Sequence, residues 1–544
     1  MPENPTYPGV YIEELPSGVR AIVGVPTSIT AFVGRARSGP VNKPVTIYSY
    51  VDFARIFGGL WLGSSLGFAV RDFFVNGGRQ AIVVRLYHPD PLKSSKTRLA
   101  VGEIRLEAAD EGSWGTNLRA TIDQNVSEDD AKTLGLKKED VFNLTVKKAN
   151  DQRTERFSNL SVKDSTRRVD KVLSAESELV RWTGDWPSQL PAISSGNDKL
   201  TEAEKRLEAA KKTVPIDHLM VSAAAKAVEA AKKAMEASDG FDLTLKDDFS
   251  PVGAECDKKG LYALEQADIF NILCIPPYLA SGDVDRDLVT KAAEYCEKKR
   301  AFLIMDPPSD WKDKESAKTG MGAWVGTRSK NAALFFPRLK QLNPEHANKI
   351  EVFAPCGAVA GVFARIDAEL GVWKAPAGLS ATLLGVPDLS VRLSDAENGE
   401  LNSLGINCLR IMPTDGCVVW GARTLQGDDG LVSEWKYIPV RRLALFLKES
   451  LSRGTQWVVF EPNDELLWLL IRRTIGAFMH GLFKQGAFVG MTPQETYFVK
   501  CDKGTMTQDD IDKGIVNIIV GFSPIKPAEF IIIKIRQMAV QIDE

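Results

Sequence analysis

The residues whose types and spacing could do chemistry are few, and each set lacks something its chemistry needs. Gly63, Ser65 and Gly67 fit G-x-S-x-G, which in hydrolases holds a nucleophilic serine on a tight strand-to-helix turn. That elbow needs a strand before it and an acid and a histidine after it in a coherent order, and this context supplies neither. Asp509, Asp510 and Asp512 with Gly514 have the composition of a calcium loop without its spacing or closing glutamate; they read as a helix start capped by Thr507. No P-loop occurs, and Gly357 and Gly361 do not complete G-x-G-x-x-G, so these small residues point to close helix packing instead of nucleotide binding. His88, His218, His346 and His480 share no ligand spacing. The seven cysteines, 256, 274, 296, 356, 408, 417 and 501, are scattered and never form C-x-x-C, which predicts buried thiols and neither a disulfide framework nor a zinc site. The expectation is therefore no catalytic, metal-binding or cofactor-binding residue.

One polar constellation is left. Arg473, His480 and Lys484 stand at i, i+7 and i+11 and line up on one side of a helix predicted over 464–484. Leu467, Ile471, Ile475, Phe478 and Leu482 form the opposite, core-facing stripe. Gly476, Ala477 and Gly481 lie beside the basic line and would let another surface approach the helix backbone. Asn463 or Asp464 can cap the first turn, and Gly486 stands where a stop belongs. A solvated charged face would give the same pattern, so periodicity alone does not decide between the two.

The elements that must carry this helix are those of a large globular chain. Its 544 residues are enough for roughly three or four domains, and 44% hydrophobic with 26% charged residues is ordinary for a folded protein. A net charge of −3 provides no overall field toward nucleic acid or an anionic membrane. The opening MPENPTYPGV lacks the basic and then apolar regions of a secretory signal, and no apolar run reaches the roughly 20 residues that span a bilayer, so a chain made and folded in the cytoplasm is expected.

In chain order, Pro2, Pro5 and Pro8 hold the start extended, and Val10 and Ile12 alternate as in a short strand with no local hairpin partner. Strands are predicted at 29–33 and 80–87, with helices over 50–57 and 66–74. From about 93 to 248 the composition becomes more polar and alternating, notably at 118–122 and 142–146, which suggests a separate β-rich domain. Within it, 199–237 reads as a helical hairpin broken at Pro215. From Gly260 onward strand and helix alternate: helices over 261–267 and 284–299, strands at 269–275, 301–305 and near 350–354, then the helix GAVAGVFARI, together implying a parallel sheet. A helix over 437–451, a strand GTQWVVF and the 464–484 helix follow. Last come IVNIIVGF and, after Pro524 and Pro527, a β-branched run to the C-terminus whose unpaired edge would be an association hazard unless association is its purpose.

TYPGVYIEE near the start, EGSWGTNL (111–118), QADIFNILCIPP (266–277), APCGAVAGVFARID (354–367), GVWKAPAG (371–378), EWKYIPVRRL, GTQWVVFEPND and the terminal PAEF together resemble the contractile tail sheath proteins of phages, pyocins and related injection systems. The likeness runs in order over nearly the whole chain and is weakest over 93–248. It implies an α/β and α+β multidomain fold. An N-terminal strand arm (1–20) and an N-terminal part of the core (21–92) precede an inserted β-rich outer domain (93–255) that carries the hairpin 199–237. A subtilisin-like α/β central domain (256–434), a tube-facing C-terminal α+β domain (435–526) and a C-terminal strand arm (527–544) follow. It also implies a non-enzymatic subunit that polymerises as a helical cylinder around an inner tube and contracts to drive that tube through an envelope. The expected partners are copies of itself, the tube protein, a baseplate and a terminal cap, with no nucleic acid and no direct membrane insertion. Assembly is expected in the bacterial cytoplasm, as part of a phage tail or an injection particle. Arg473, His480 and Lys484 become the expected tube-facing residues, and Val10, Ile12, Phe530, Ile531, Ile532, Ile533 and Ile535 the expected inter-subunit strands. The rival readings are another self-assembling shell protein and, less favoured, an α/β hydrolase.

Overall fold

A computed structural model describes residues 21–149, 154–184, 191–195, 198–212, 218–278, 282–323 and 325–530. Its centre is an eight-stranded sheet in the order Gly416–Val419, Ile406–Met412, Ala332–Phe336, Phe302–Met305, Ile272–Cys274, Thr30–Arg35, Ala81–Leu86, Val45–Ile47. The six inner strands are parallel and each edge strand is antiparallel to its neighbour. Parallel strands covered on both faces are largely apolar, and the two-residue period divides their apolar side chains between two cores. Ala31, Val33, Leu273, Leu303 and Leu334 enter one core, while Phe32, Cys274, Phe302, Ile304 and Phe335 enter the other. The helix Arg286–Lys299 contributes to the first core, and the helices Tyr50–Phe57, Leu66–Val75 and Cys356–Leu370 to the second.

Strands that precede the polar stretch and strands that follow it therefore lie in one sheet. The stretch between them builds its own core from two antiparallel sheets, around Leu106, Leu118, Phe142, Leu144 and Leu173. Its hairpin is the helix pair Asp198–Lys212 and His218–Ala234, closed on Leu200, Ala203 and Val228 and tied to the sheet by Arg119–Glu204 at 2.8 Å. Met220, on the second of these helices, is 60% exposed.

Glycine permits the packing of the small-residue helix. A Cβ at Gly357 would lie 2.1 Å from the Ala69 carbonyl oxygen, and one at Gly361 2.5 Å from that of Phe73, so Cys356–Leu370 and Leu66–Val75 pack backbone to backbone. The predicted thiol burial holds for six of the seven cysteines, Cys256 being exposed. Trp468 is buried, and Trp420, Trp435 and Trp457 are half-buried.

Three expectations are corrected. GTQWVVF is no strand: Gln456–Val458 is a 3-10 turn joining two helices, and Phe460 has φ 70° with its ring in solvent. Apolar character there serves packing of Trp457 and Val458 against the C-terminal core. Lys349–Phe353 is a strand but belongs to a small antiparallel sheet with Leu339–Asn343 and Asp388–Leu389, while the parallel sheet takes Ala332–Phe336 and Ile406–Met412. Residues 260–266 form a 3-10 helix where an α-helix was expected.

Candidate assembly interface

The helix Glu465–Lys484 begins as its sequence requires: Asp464 is the N-cap, and its carboxylate accepts from the Leu467 amide at 2.8 Å. Leu467, Ile471, Ile475 and Leu482 are buried, with Trp468, Thr474 and Met479, against the helix Ile438–Gly454 and the strands Tyr497–Lys500 and Ile519–Phe522; Phe478, expected in this stripe, is half-buried. The helix is long and apolar enough to cross a membrane, but this stripe is spent on the C-terminal core.

On the opposite face Arg473 and Lys484 are exposed and His480 is half-buried, its ring stacked on Phe483 at 6.0 Å. A Cβ at Gly476 or Gly481 would meet nothing within 4 Å, so that side of the helix is open. Two features were not read from the sequence. Arg472 turns inward and donates to the Cys501 carbonyl. Leu466 and Leu469 are 63% and 52% exposed and border a groove of about 610 Å³ with Arg472 and Lys503, which gives the face an apolar flank as well as a charged line.

Val10, Ile12, Ile531, Ile532, Ile533 and Ile535 lie outside the described residues, and Phe530 is 76% exposed. The roots of both arms are described. At the N-terminal root, Ile22 lies against Gly454, the Val25 amide donates to Ser450 Oγ at 3.1 Å, and the Thr27 hydroxyl donates to Asp367 at 2.7 Å. Arg442 grips the same Asp367 through two bonds of 2.8 and 2.6 Å and also donates to the Thr27 carbonyl; both side chains of this ion pair are 3% exposed.

At the C-terminal root the chain leaves Ile519–Phe522, crosses a cavity of about 600 Å³ bordered by Trp373, Asn398, Trp420 and Pro439, and reaches Arg423. Arg423, fully buried, donates from Nε and NH2 to the two oxygens of Glu529 at 2.8 and 2.6 Å; its NH1 serves the carbonyls of Asn402 and Gly427 and the Asp429 carboxylate. Tyr437–Glu529 adds a contact at 3.4 Å. Tyr497–Lys500 and Ile519–Phe522 make a two-stranded antiparallel sheet with no third strand among the described residues.

None of the motifs considered for chemistry assembles into a site. Ser65 stands at the start of Leu66–Val75 after a turn, and Thr507 caps Gln508–Asp512 through mutual bonds with Asp510. His88 and His346 are each engaged by a carboxylate, Asp248 at 2.9 Å and Glu351 at 2.6 Å. Among the described residues no group of three or more His, Cys, Asp or Glu could hold a metal ion.

Two family models match in tandem: the phage tail sheath protein central domain over residues 252–425 and the phage tail sheath C-terminal domain over 432–538, together just over half of the chain. The chain belongs to the phage tail sheath family. Its sequence is similar to a putative prophage major tail sheath protein of Pseudomonas aeruginosa (strain UCBPP-PA14), 26% identical over 291 residues that make up 51% of this chain and 69% of that one. Its fold is similar to two sheaths solved in the contracted state. One is the anti-feeding prophage helical sheath (TM-score 0.56, 23% identity, covering 98% of this chain and 100% of that one). The other is the PVC sheath of an extracellular contractile injection system (TM-score 0.56, 20% identity, 99% of both). This tail sheath protein thus has a mixed α/β multidomain fold, and no finding favours a closed shell or a hydrolase. The junction between its two matched domains, at 425–432, falls in the segment that carries Arg423 and leads to Arg442.

Proposed function

We propose that this sheath subunit polymerises by lending both of its ends to neighbouring copies and holds an inner tube against the exposed face of Glu465–Lys484. The observation that carries the reading is the two-stranded sheet Tyr497–Lys500 and Ile519–Phe522. Two strands alone are marginal in water, and a sheet with no third strand among the described residues suits strand addition from other chains. Val10 and Ile12 at one end and Phe530, Ile531, Ile532, Ile533 and Ile535 at the other supply the apolar, β-branched sequence such added strands need. The central domain is subtilisin-like in arrangement without a protease's chemistry, and the stretch 93–255 lies on the outside of the cylinder.

Arg473, His480 and Lys484 meet the tube through charge, on a helix side left open by Gly476 and Gly481. A contact of this kind is screened by salt and can be broken when the sheath shortens. The free energy of contraction comes from passage of a trapped extended lattice to a better-packed one. A baseplate and a terminal cap bound the cylinder, and assembly takes place in the bacterial cytoplasm.

The test is deletion. Removing residues 1–17 or 531–544 is expected to leave folded subunits that form no cylinders in negative-stain images, alone or with the tube protein. Cylinders from either deletion would reject strand exchange.

A further inference from the structure

Both arm roots end on a single segment of chain. Arg423 and Tyr437 form an antiparallel bridge, flanked by Thr424 N–Lys436 O and Ile438 N–Ala422 O, each 2.9 Å, so residues 422–438 close into a loop that leads directly into the helix bearing Arg442. One guanidinium of this unit holds Glu529, and the other holds Asp367 and the Thr27 carbonyl. Each is a bidentate pair with its arginine nearly or wholly out of solvent. Withdrawing residues 523–529 would take Glu529 from a buried guanidinium that keeps Asp429 as its one other carboxylate, and withdrawing residues 22–27 would take the Thr27 carbonyl and hydroxyl from the buried Arg442–Asp367 pair; either loss leaves buried polar groups short of partners, which costs more than bending a surface linker.

We propose that the 422–442 segment is a common anchor that fixes residues 22–27 and 523–529 to one rigid body, so that any pivot of the arms lies outside these roots and not at the Pro524–Pro527 linker. This rests on the reading that the arms are exchanged and says where the exchange is levered. The linker is a strap across the 600 Å³ cavity, clipped at its far end by Glu529. A rotation of the central sheet would then reach both neighbours without slack, because the two clips sit at the two ends of one bridged segment.

The test uses the full-length subunit with exposed Cys256 replaced by serine and nitroxide labels on pairs of introduced cysteines. Ala396→Cys with Lys526→Cys spans the strap, and Val23→Cys with Ser452→Cys reports the N-terminal root. Dipolar EPR is expected to give one narrow distance for each pair, before and after assembly. Glu529→Gln is expected to broaden the first distribution, and Asp367→Asn the second, with the circular dichroism of the fold retained. A broad strap distribution in the unsubstituted protein, or a narrow one that survives Glu529→Gln, would overturn the anchor; the first outcome decides the matter even if the variant does not fold. The strand-exchange reading fails separately, since a chain ending at Phe530 keeps Glu529 and tests only whether cylinders form.

Discussion

Asp306 shows how a single carboxyl can set a pH dependence. It ends the strand Phe302–Met305, accepts from the Cys356 amide at 2.7 Å through one oxygen, and buries the other without a partner. Burial, only partly offset by the Cys356 hydrogen bond and by Arg338, pushes its pKa up to about 6. The sign follows from linkage. Below the unfolded value both states hold the proton and no penalty exists. As pH rises toward 6 the native state keeps a proton that the unfolded chain releases, so stability falls across that window and then levels off. Asp306→Asn keeps the bond to Cys356 and is expected to stabilise the unassembled subunit by about 1–3 kcal/mol at pH 7, with the gain vanishing near pH 4, as measured by urea denaturation at both pH values. Arg442 works in the opposite sense, because its partner Asp367 is as buried as it is. Arg442→Met leaves that carboxylate without a countercharge, held only by the Thr27 hydroxyl, and is expected to cost about 3–5 kcal/mol by the same measurement.

Among the elements, the helix Glu465–Lys484 is the one most fully specified by local sequence. Asp464→Ala removes its cap and is expected to cost about 1 kcal/mol in urea denaturation, while Asp464→Asn or Asp464→Ser retains most of it. The pair Leu66–Val75 and Cys356–Leu370 depends instead on what glycine omits. Gly357→Ala must force a methyl group to within 2.1 Å of a backbone oxygen, which neither helix can yield without moving off the sheet. It is expected to destabilise by at least about 3 kcal/mol, whereas Gly399→Ala, where a Cβ meets nothing, is expected to leave the melting temperature unchanged or raised.

For the whole molecule, the polymer decides what the surface charges mean. Arg473 and Lys484 make no ion pair within the described residues, so their value lies in what approaches them. Reversing both to Glu is expected to weaken co-sedimentation with the tube protein while sheath self-association persists, and to make the remaining tube binding less sensitive to salt. Equal loss of both associations would place these residues at a contact between sheath subunits.

Sequence by itself determined the pieces whose signals are local. These include the cap, stripe and stop of the helix ending at Lys484, the helices starting at Tyr50 and Leu66, the paired helices Asp198–Lys212 and His218–Ala234, and the resemblance that named the family. Each is decided within a few turns of chain by periodicity, a capping side chain or a breaker. Only tertiary structure decided the strand order, which places Thr30–Arg35 beside Ile272–Cys274, their paired residues 242 positions apart. It also turned GTQWVVF into a turn, and chose Ala332–Phe336 over Lys349–Phe353 for the parallel sheet. The arginine clips at 423 and 442 belong here too, since a buried charge is defined by the partner it meets, and those partners lie 106 and 75 residues away.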